Sequence, residues 1–295
     1  MSTTIATHSG PFHADDVMAT ALIKTFYDPE VSVVRTRNPE QIDEADIVVD
    51  VGAIFDPEAR RFDHHQASYE GTRSSAGMIL DWLEETGMVK HSVSDTLRAE
   101  VMDYLDAVDT GRRAPASDVP CFPRIIDALN QPADEGDGFD VAFRGAVSFA
   151  CAYLRGIIAA VDKIERARVV VRAAMERAEQ TGKNVLFFDG YISWKQPYFE
   201  NGGEEHPTEY VLFPGTDGSW RILAIPPRLG DFAQKHPLPA TWAGLSDEEL
   251  EQASGIPGAV FCHKNRFIAV FKTREGALRA LRESNRLDRV TEPAR

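Results

Sequence analysis

Histidine and aspartate gather in four short groups within the first 110 residues: His8 with His13 and Asp15, Asp50, Asp63-His64-His65, and Asp109. Imidazole and carboxylate together suit first-row divalent metals. Oxygen-rich mixed sites with bridging carboxylates favour manganese, with magnesium and zinc as alternatives. Two such ions about 3.5–4 Å apart can hold hydroxide at neutral pH, clamp a phosphoryl oxygen and stabilise the leaving oxygen of a displacement. That chemistry needs carboxylates that bridge, and it needs no serine or cysteine nucleophile. Each group alone also has an ordinary structural reading: His64-His65 as a turn or a core pair, Asp50 as a loop cap. Their joint occurrence at the ends of expected elements favours a site.

The elements that must position these groups read as strand, loop and helix. Thr3 to Thr7 is short and β-prone; Gly10-Pro11 breaks the chain, and Val17, Ala21, Leu22 and Phe26 follow at helical spacing. Two β-branched runs, Val31 to Thr36 and Asp46 to Val51, flank a short helix over Pro39 to Ala45. Strands alternating with helices imply a parallel sheet. In such sheets ligands gather beyond the carboxyl ends of strands, where His8 and Asp50 would fall. Helices are then expected over Ser75 to Glu85, Ser94 to Val108 and Phe139 to about Thr181, the second of them delivering Asp109. Between the last two, Arg112 to Gly138 is rich in Pro, Asp and Gly and reads as an irregular excursion with a short helix around Ile125 to Leu129. Gly182 is a stop signal for the long helix, and the domain boundary is placed there.

Beyond it, Val185 to Phe188, Tyr210 to Phe213, Trp220 to Ile225, Ala259 to Cys262 and Phe267 to Phe271 read as strands. A closing helix from Arg274 to about Arg286 has Thr273 as its N-cap. From Lys264 to Arg286 the chain carries a local excess of five positive charges, including Lys264, Arg266, Lys272, Arg274 and Arg286. This stretch is a phosphate-binding face or an ordinary solvated helix surface. Trp194, Trp220 and Trp242 are candidates to stack bases, although aromatic residues in strands more often belong to the core.

With 295 residues the chain is long enough for two domains, and 43 % apolar and 26 % charged residues describe a globular protein. A net charge of −14 argues against a protein that coats nucleic acid without specificity. Cys121, Cys151 and Cys262 form no CxxC pair, which suits a reducing, cytoplasmic setting. Met1 to Thr7 lacks a charged n-region before an apolar stretch, and no run of 18 apolar residues follows, so neither export nor membrane insertion is indicated.

Asp63-His64-His65 resembles the signature of the DHH phosphoesterase superfamily. The strings from Thr7 to Asp15, Val49 to Gly52, Arg61 to Gln66, Ser74 to Gly77 and Asp109 to Gly111 resemble the melanocyte-proliferating-gene exonuclease family in particular. Pro237 to Pro239, Trp242 to Leu245, Ser254 to Gly258 and Lys272 to Ala277 extend the likeness over nearly the whole chain. The resemblance implies that His8, His13 and Asp50 hold one metal. Asp15, Asp50, His64 and Asp109 would hold the other, with Asp50 as the bridge. It makes His65 a group facing the substrate and Asp63 an orienting partner of the imidazoles, so Asp50, Asp63 and His65 form the catalytic set. His13 stands where many relatives have aspartate, which lowers the negative charge of the site.

The resemblance further implies an α/β fold: an N-terminal parallel-sheet domain of DHH type, residues 1–182, with helices on both faces. A smaller, sheet-rich α+β domain, residues 183–295, would bind substrate through Arg266, Lys272 and Arg274. Ahead of Lys272 the family pattern suggests Gly-Gly-His; this chain has Ala269-Val270-Phe271, which bears on close backbone approach to phosphate. The expected activity is that of a two-manganese phosphodiesterase, a 3'-5' exonuclease on RNA or other short single-stranded nucleic acid, bound in the cleft between the domains. A phosphatase of small anions such as pyrophosphate, or a metal- or nucleotide-binding regulator, are the alternatives. A homo-oligomer is compatible with the sequence.

Overall fold

The computed structural model describes residues 3–130 and 138–291, with side-chain surroundings described as far as Ser284. Met1 and Ser2, the stretch 131–137 of the expected irregular excursion, and the side chain of Arg286 lie outside the described residues. The chain divides into two compact units, Met1–Val161 and Asp162–Arg295. Each contains a five-stranded mixed sheet.

In the first unit β1 (Thr4–Thr7), β2 (Ser32–Arg35), β3 (Ile47–Val49), β4 (Phe55–Asp56) and β5 (Arg61–Phe62) are arranged in the order β2-β1-β3-β5-β4. The four strands β2, β1, β3 and β5 run parallel, as the alternation of strands and helices predicts. The fifth, β4, pairs antiparallel with β5 and makes the sheet mixed. The residues between β4 and β5 are too few for a crossover, so only an antiparallel return is open to them. Neither two-residue strand has enough apolar periodicity to be seen in the sequence.

Alternation within the strands sorts side chains to two faces. Ile5, Ile47, Val49 and Phe62 join the large core with α1 (Ala14–Phe26) and α3 (Ser75–Glu85). Ala6, Val48 and Val51 join a smaller cluster with Ala45, against which Ile42 of α2 (Pro39–Asp43) packs. On α1, Val17, Met18, Ala21 and Leu22 are fully buried. Burying each of the three larger side chains contributes about 1.5–3 kcal/mol, so α1 is a firm base for what its first turn carries. The expected helix from Ser94 to Val108 is a continuous helical run: α4 (His91–Leu97), a π-helical turn at Arg98–Met102 and α5 (Asp103–Asp109). The short helix expected near Ile125 is α6 (Phe122–Asn130).

The long helix α7 (Gly138–Thr181) stops where the sequence predicts, at Gly182 with φ +63°, and Lys183 N–H donates to Ala178 O. The two units meet inside this helix, at 161/162, whereas the sequence reading places the boundary after it. Phe143, Val147, Ala150 and Leu154 enter the core of the first unit, and Ala167, Val171 and Met175 that of the second. The helix is long and apolar enough, with an eighteen-residue mean hydropathy of 1.4, to meet the composition criterion for a membrane span. Of that window 39% is buried, and the buried share belongs to the protein's own cores.

The second unit contains β6 (Val185–Phe187), β7 (Tyr210–Pro214), β8 (Trp220–Ala224), β9 (Ala259–Cys262) and β10 (Ile268–Phe271), in the order β6-β7-β8-β10-β9. Only β6 and β7 are parallel, joined by a connection that carries α8 (Lys195–Glu200). One face packs Leu212, Ile222, Ala269 and Phe271 against α9 (Asp247–Ser254) and α10 (Arg274–Thr291) through Leu250, Ala277 and Ala280. The other packs Leu186, Val211 and Phe213 against α7, Trp194 and Tyr198.

Candidate metal centre

Three neighbouring parallel strands end at one edge of the first sheet, and the residue after each is polar: His8 after β1, Asp50 after β3 and Asp63 after β5. Because the strands share direction and register, these side chains are delivered side by side. Asp50 N–H still donates to Phe62 O at 3.0 Å, and then the chain leaves the sheet abruptly, with φ of +56° at Asp50, +94° at Gly52 and +55° at Ala53. Aspartate is one of the few side chains that tolerates the left-handed region. Asp63 braces this turn: its Oδ2 accepts from Ala53 N at 2.7 Å, and its Oδ1 accepts from His65 N at 3.0 Å. Oδ1 also lies 2.7 Å from His65 Nδ1, so Asp63 fixes that ring too.

Two helix N-termini complete the floor. His13 precedes α1, whose first turn carries Asp15 and Asp16, both fully buried. The Asp15 carboxylate lies on the first turn of α3, accepting from Ser75 N at 2.9 Å and Ala76 N at 2.6 Å, where unpaired amides and the helix dipole favour an anion. Asp16 Oδ1 accepts from His13 N at 2.8 Å. Its Oδ2 has no hydrogen-bond partner, although His8 Nε2 is 3.3 Å away. From the C-terminal end of α5, Asp109 Oδ2 comes within 3.1 Å of His64 Nε2.

The residues therefore form compact groups whose donor atoms lie within 4.8 Å of one another: His8, His13 and Asp50; Asp15, His64 and Asp109; and Asp50, Asp63, His64 and His65. Any of these could hold a metal ion. Asp50 connects them. Its Oδ2 is 3.5 Å from His8 Nε2, while Oδ1 is 3.9 Å from His64 Nδ1 and 3.5 Å from His65 Nδ1. Asp50 Oδ1 is buried and has no hydrogen-bond partner, so an atom that demands one faces both imidazoles. In the third group Asp63 already spends both oxygens on backbone amides and His65, which suits it to orienting others.

The electrostatics follow from burial. Burial and the nearby charges of Asp109 and Asp50 raise the Asp15 carboxyl well above its usual range. Burial pushes Asp16 up to about 7, with His8 opposing. Burial also disfavours charge on His8 and His64, but hydrogen bonds to Asp50 and Asp109 respectively, together with surrounding carboxylates, outweigh it and raise both. Asp50 is lowered: burial opposes ionisation, and the His8 hydrogen bond and the His8, His65 and His64 charges overcome it. So many buried carboxylates ionise together only where protons are replaced by cations. A cavity of about 270 Å³ opens on the group, bounded by His13, Asp50, His65 and Asp109 and by the rings of Pro115 and Pro123.

The sequence reading missed Asp16 and Asp106. Asp16 carries a signal in its spacing, three residues after His13, which is that of a helix cap. Asp106 carries none: it is buried, accepts from Ser74 N at 3.0 Å and Ser74 Oγ at 2.9 Å, and so holds the start of α3 that grips Asp15. Gly77 belongs to the same arrangement, since a Cβ there would lie 2.4 Å from Asp106 Oδ1.

The three basic residues singled out in the second unit do not converge. Arg266 sits in the turn before β10 with φ +60°, while Lys272 and Arg274 lie beyond its other end, roughly 13 Å of strand away. Arg274 rests over the Trp220 ring at 5.6 Å. Ala269-Val270-Phe271 is a strand paired on both sides, with Ala269 and Phe271 in the core, so its backbone amides are committed to the sheet. Trp194 and Trp242 are buried core residues.

Comparison with known proteins adds a family. A family model, MYG1_exonuc, described as "Uncharacterised protein family (UPF0160)", matches residues 4–284. A MYG1 protein of Chlamydia pneumoniae is 39% identical over 280 residues, covering 94% of this chain and 95% of its own. A MYG1 protein of Dictyostelium discoideum is 34% identical, covering 93% and 94%. The Homo sapiens MYG1 exonuclease is 31% identical, covering 93% of this chain and 83% of its own. An uncharacterized protein from Helicobacter pylori G27 aligns at 9% identity over 97% of this chain and 98% of its own, with a TM-score of 0.32, too low to bear on the fold.

Proposed function

This chain belongs to the MYG1 exonuclease family, and on that premise we propose that it is a metal-dependent phosphodiesterase acting on RNA or other short single-stranded nucleic acid. The observation that carries the reading is Asp50. One carboxylate oxygen faces His8 and the other faces His64 and His65, with no hydrogen bond to the second oxygen. A carboxylate so placed could be shared between two cations. His8, His13 and Asp50 fit one ion, and Asp15, Asp50, His64 and Asp109 fit the other. The mixed nitrogen and oxygen donor set favours manganese, with magnesium or zinc as alternatives. The DHH resemblance of Asp63-His64-His65 agrees with this assignment.

Divalent cations bound there would supply Lewis acidity for the phosphoryl group and would make water a stronger nucleophile at neutral pH. The protein's own residues do the rest. The first turn of α3 keeps Asp15 aligned through the Ser75 and Ala76 amides. Asp63 fixes the His65 ring through Nδ1, which leaves Nε2 as the ring's open position, an acceptor in the neutral ring and a donor to the scissile phosphate as the imidazolium. His65 is the exposed member of the group, with 61% of its side chain accessible. The relatives from human, rat and mouse are named exonuclease, which supports stepwise removal of nucleotides; attack from the 3' end is what the resemblance to that family implies.

The test offers labelled single-stranded RNA, single-stranded DNA and pyrophosphate to the purified chain, with manganese and with chelator. Manganese-dependent shortening of RNA that is lost in Asp63→Ala supports the proposal. Hydrolysis of pyrophosphate alone would replace it with a small-anion phosphatase, and no turnover with any substrate would replace it with a binding protein.

A further inference from the structure

The second unit carries a cavity of its own, about 920 Å³, on the sheet face that presents Phe213 and Leu223, bordered by Lys195 of α8. Leu223 of β8 and Ile268 of β10 form part of its floor, and Phe213 of β7 continues it. The walls are aromatic. Tyr191 stands 69% exposed with its ring 5.6 Å from Phe213, Phe267 is 37% exposed, and Phe232 is 98% exposed in the loop that follows β8. Large aromatic rings left in water around a pocket are costly unless a ligand covers them.

The polar lining narrows the ligand. Lys195 and Arg221 are matched by Asp189 and Asp231, so the charged lining balances and offers no net attraction to a phosphate. Arg221 is further engaged by Asp217 at 3.1 Å. The remaining polar side chains include the amides of Asn265 and Gln234 and the hydroxyl of Thr216, which can donate and accept at once. Flat apolar walls with neutral amides suit an uncharged heteroaromatic ring: stacking holds the faces, and amides pair with the edge.

We propose that this pocket binds nucleobases of a single-stranded substrate, a base-holding site separate from the metal centre and from the basic residues Lys272 and Arg274. The inference rests on the nucleic-acid reading above. Stacking tolerates any base, so the pocket adds affinity for length and single-strandedness without strong sequence preference.

The test uses the full chain, without metal, and a labelled 12-nucleotide single-stranded RNA beside an abasic oligomer of the same length. The parent should bind the base-containing strand about tenfold more tightly than the abasic one. Tyr191→Ala and Phe232→Ala, both at exposed positions, should each remove most of that difference, and Tyr191→Trp should keep it. In all variants manganese-dependent hydrolysis of bis(p-nitrophenyl) phosphate, a diester with no nucleobase, should match the parent. Unchanged base preference in the alanine variants would overturn the pocket assignment while leaving the phosphodiesterase standing. A changed sedimentation coefficient with unchanged RNA binding would overturn it in favour of a second copy of the chain. If the parent neither hydrolyses the diester nor binds RNA, the nucleic-acid reading fails first, and this inference with it.

Discussion

Replacing Asp106 by alanine should cost about 3 kcal/mol, although the residue touches no metal group. Its Oδ1 accepts from Ser74 N at 3.0 Å and Ser74 Oγ at 2.9 Å, and its Oδ2 from Arg73 Nη1 at 2.9 Å. Burial raises the Asp106 carboxyl despite Ser74 and Arg73, so the contribution lies in hydrogen bonds more than in net charge pairing. Truncation leaves the N–H of the fully buried Ser74 without an acceptor, at about 1–3 kcal/mol, while the Ser74 hydroxyl loses one of its two carboxylates and keeps Asp15. Arg73 keeps Asp81 and Asp103, which limits the loss on that side. In a unit of this size, 3 kcal/mol lowers the melting temperature by roughly 10 °C. Gly77→Ala supplies the internal control. In an open helix the change gains about 1 kcal/mol. Here the new Cβ meets Asp106 Oδ1 at 2.4 Å, so the variant should be destabilised. In the double variant the obstruction is gone, and Gly77→Ala should then stabilise the Asp106→Ala background. Urea denaturation of the four proteins measures the cycle. Additive effects, or an Asp106→Ala variant within about 0.5 kcal/mol of the parent, would refute the reasoning.

Asp63→Asn should lower turnover about 10–100-fold while both ions stay bound, since it loosens His65 and the 50–54 turn without removing a ligand; metal analysis beside kinetics checks both halves. The metal-free protein should lose stability as pH rises. Asp15 and Asp16, the latter raised to about 7, and His8 and His64, raised from 6.5, hold protons in the fold that the unfolded chain has released. Asp50, lowered from 3.8, acts in the opposite sense only in the acid range. The urea midpoint should therefore fall between about pH 5 and about pH 8 and be restored most by manganese at the upper end; a flat or rising metal-free profile contradicts this. Arg274→Ala should weaken substrate affinity more than turnover and reduce the salt slope of binding by about one. Unchanged affinity across a salt series would remove Arg274 from the substrate's path.

The parallel strands were legible because β-branched runs with helices between them admit little else. The ends of those runs then located His8 and Asp50. Asp63, His64 and His65 were legible as a triplet, but the two-residue strand that delivers them was not, because it has no periodicity. Asp16 and Asp106 escaped for a different reason. Their roles are contacts across the fold, to His8 and to Ser74, and composition and spacing carry no trace of such contacts. The basic residues of the second half looked like one patch in the sequence, yet a strand of known rise separates Arg266 from Lys272 and Arg274. Conversely, Tyr191, Phe232 and Phe267 are scattered along the chain and gather only when the second sheet forms.

The central claim is that Asp50 is shared between two cations, and the direct measurement is manganese stoichiometry in the parent and in Asp50→Asn. Asparagine tolerates the left-handed backbone at this position, so the fold should persist. The account predicts two ions per chain in the parent, with loss of at least one and of turnover in Asp50→Asn. A parent that binds one ion or none, or an Asp50→Asn protein that keeps both ions and near-normal turnover, would contradict it.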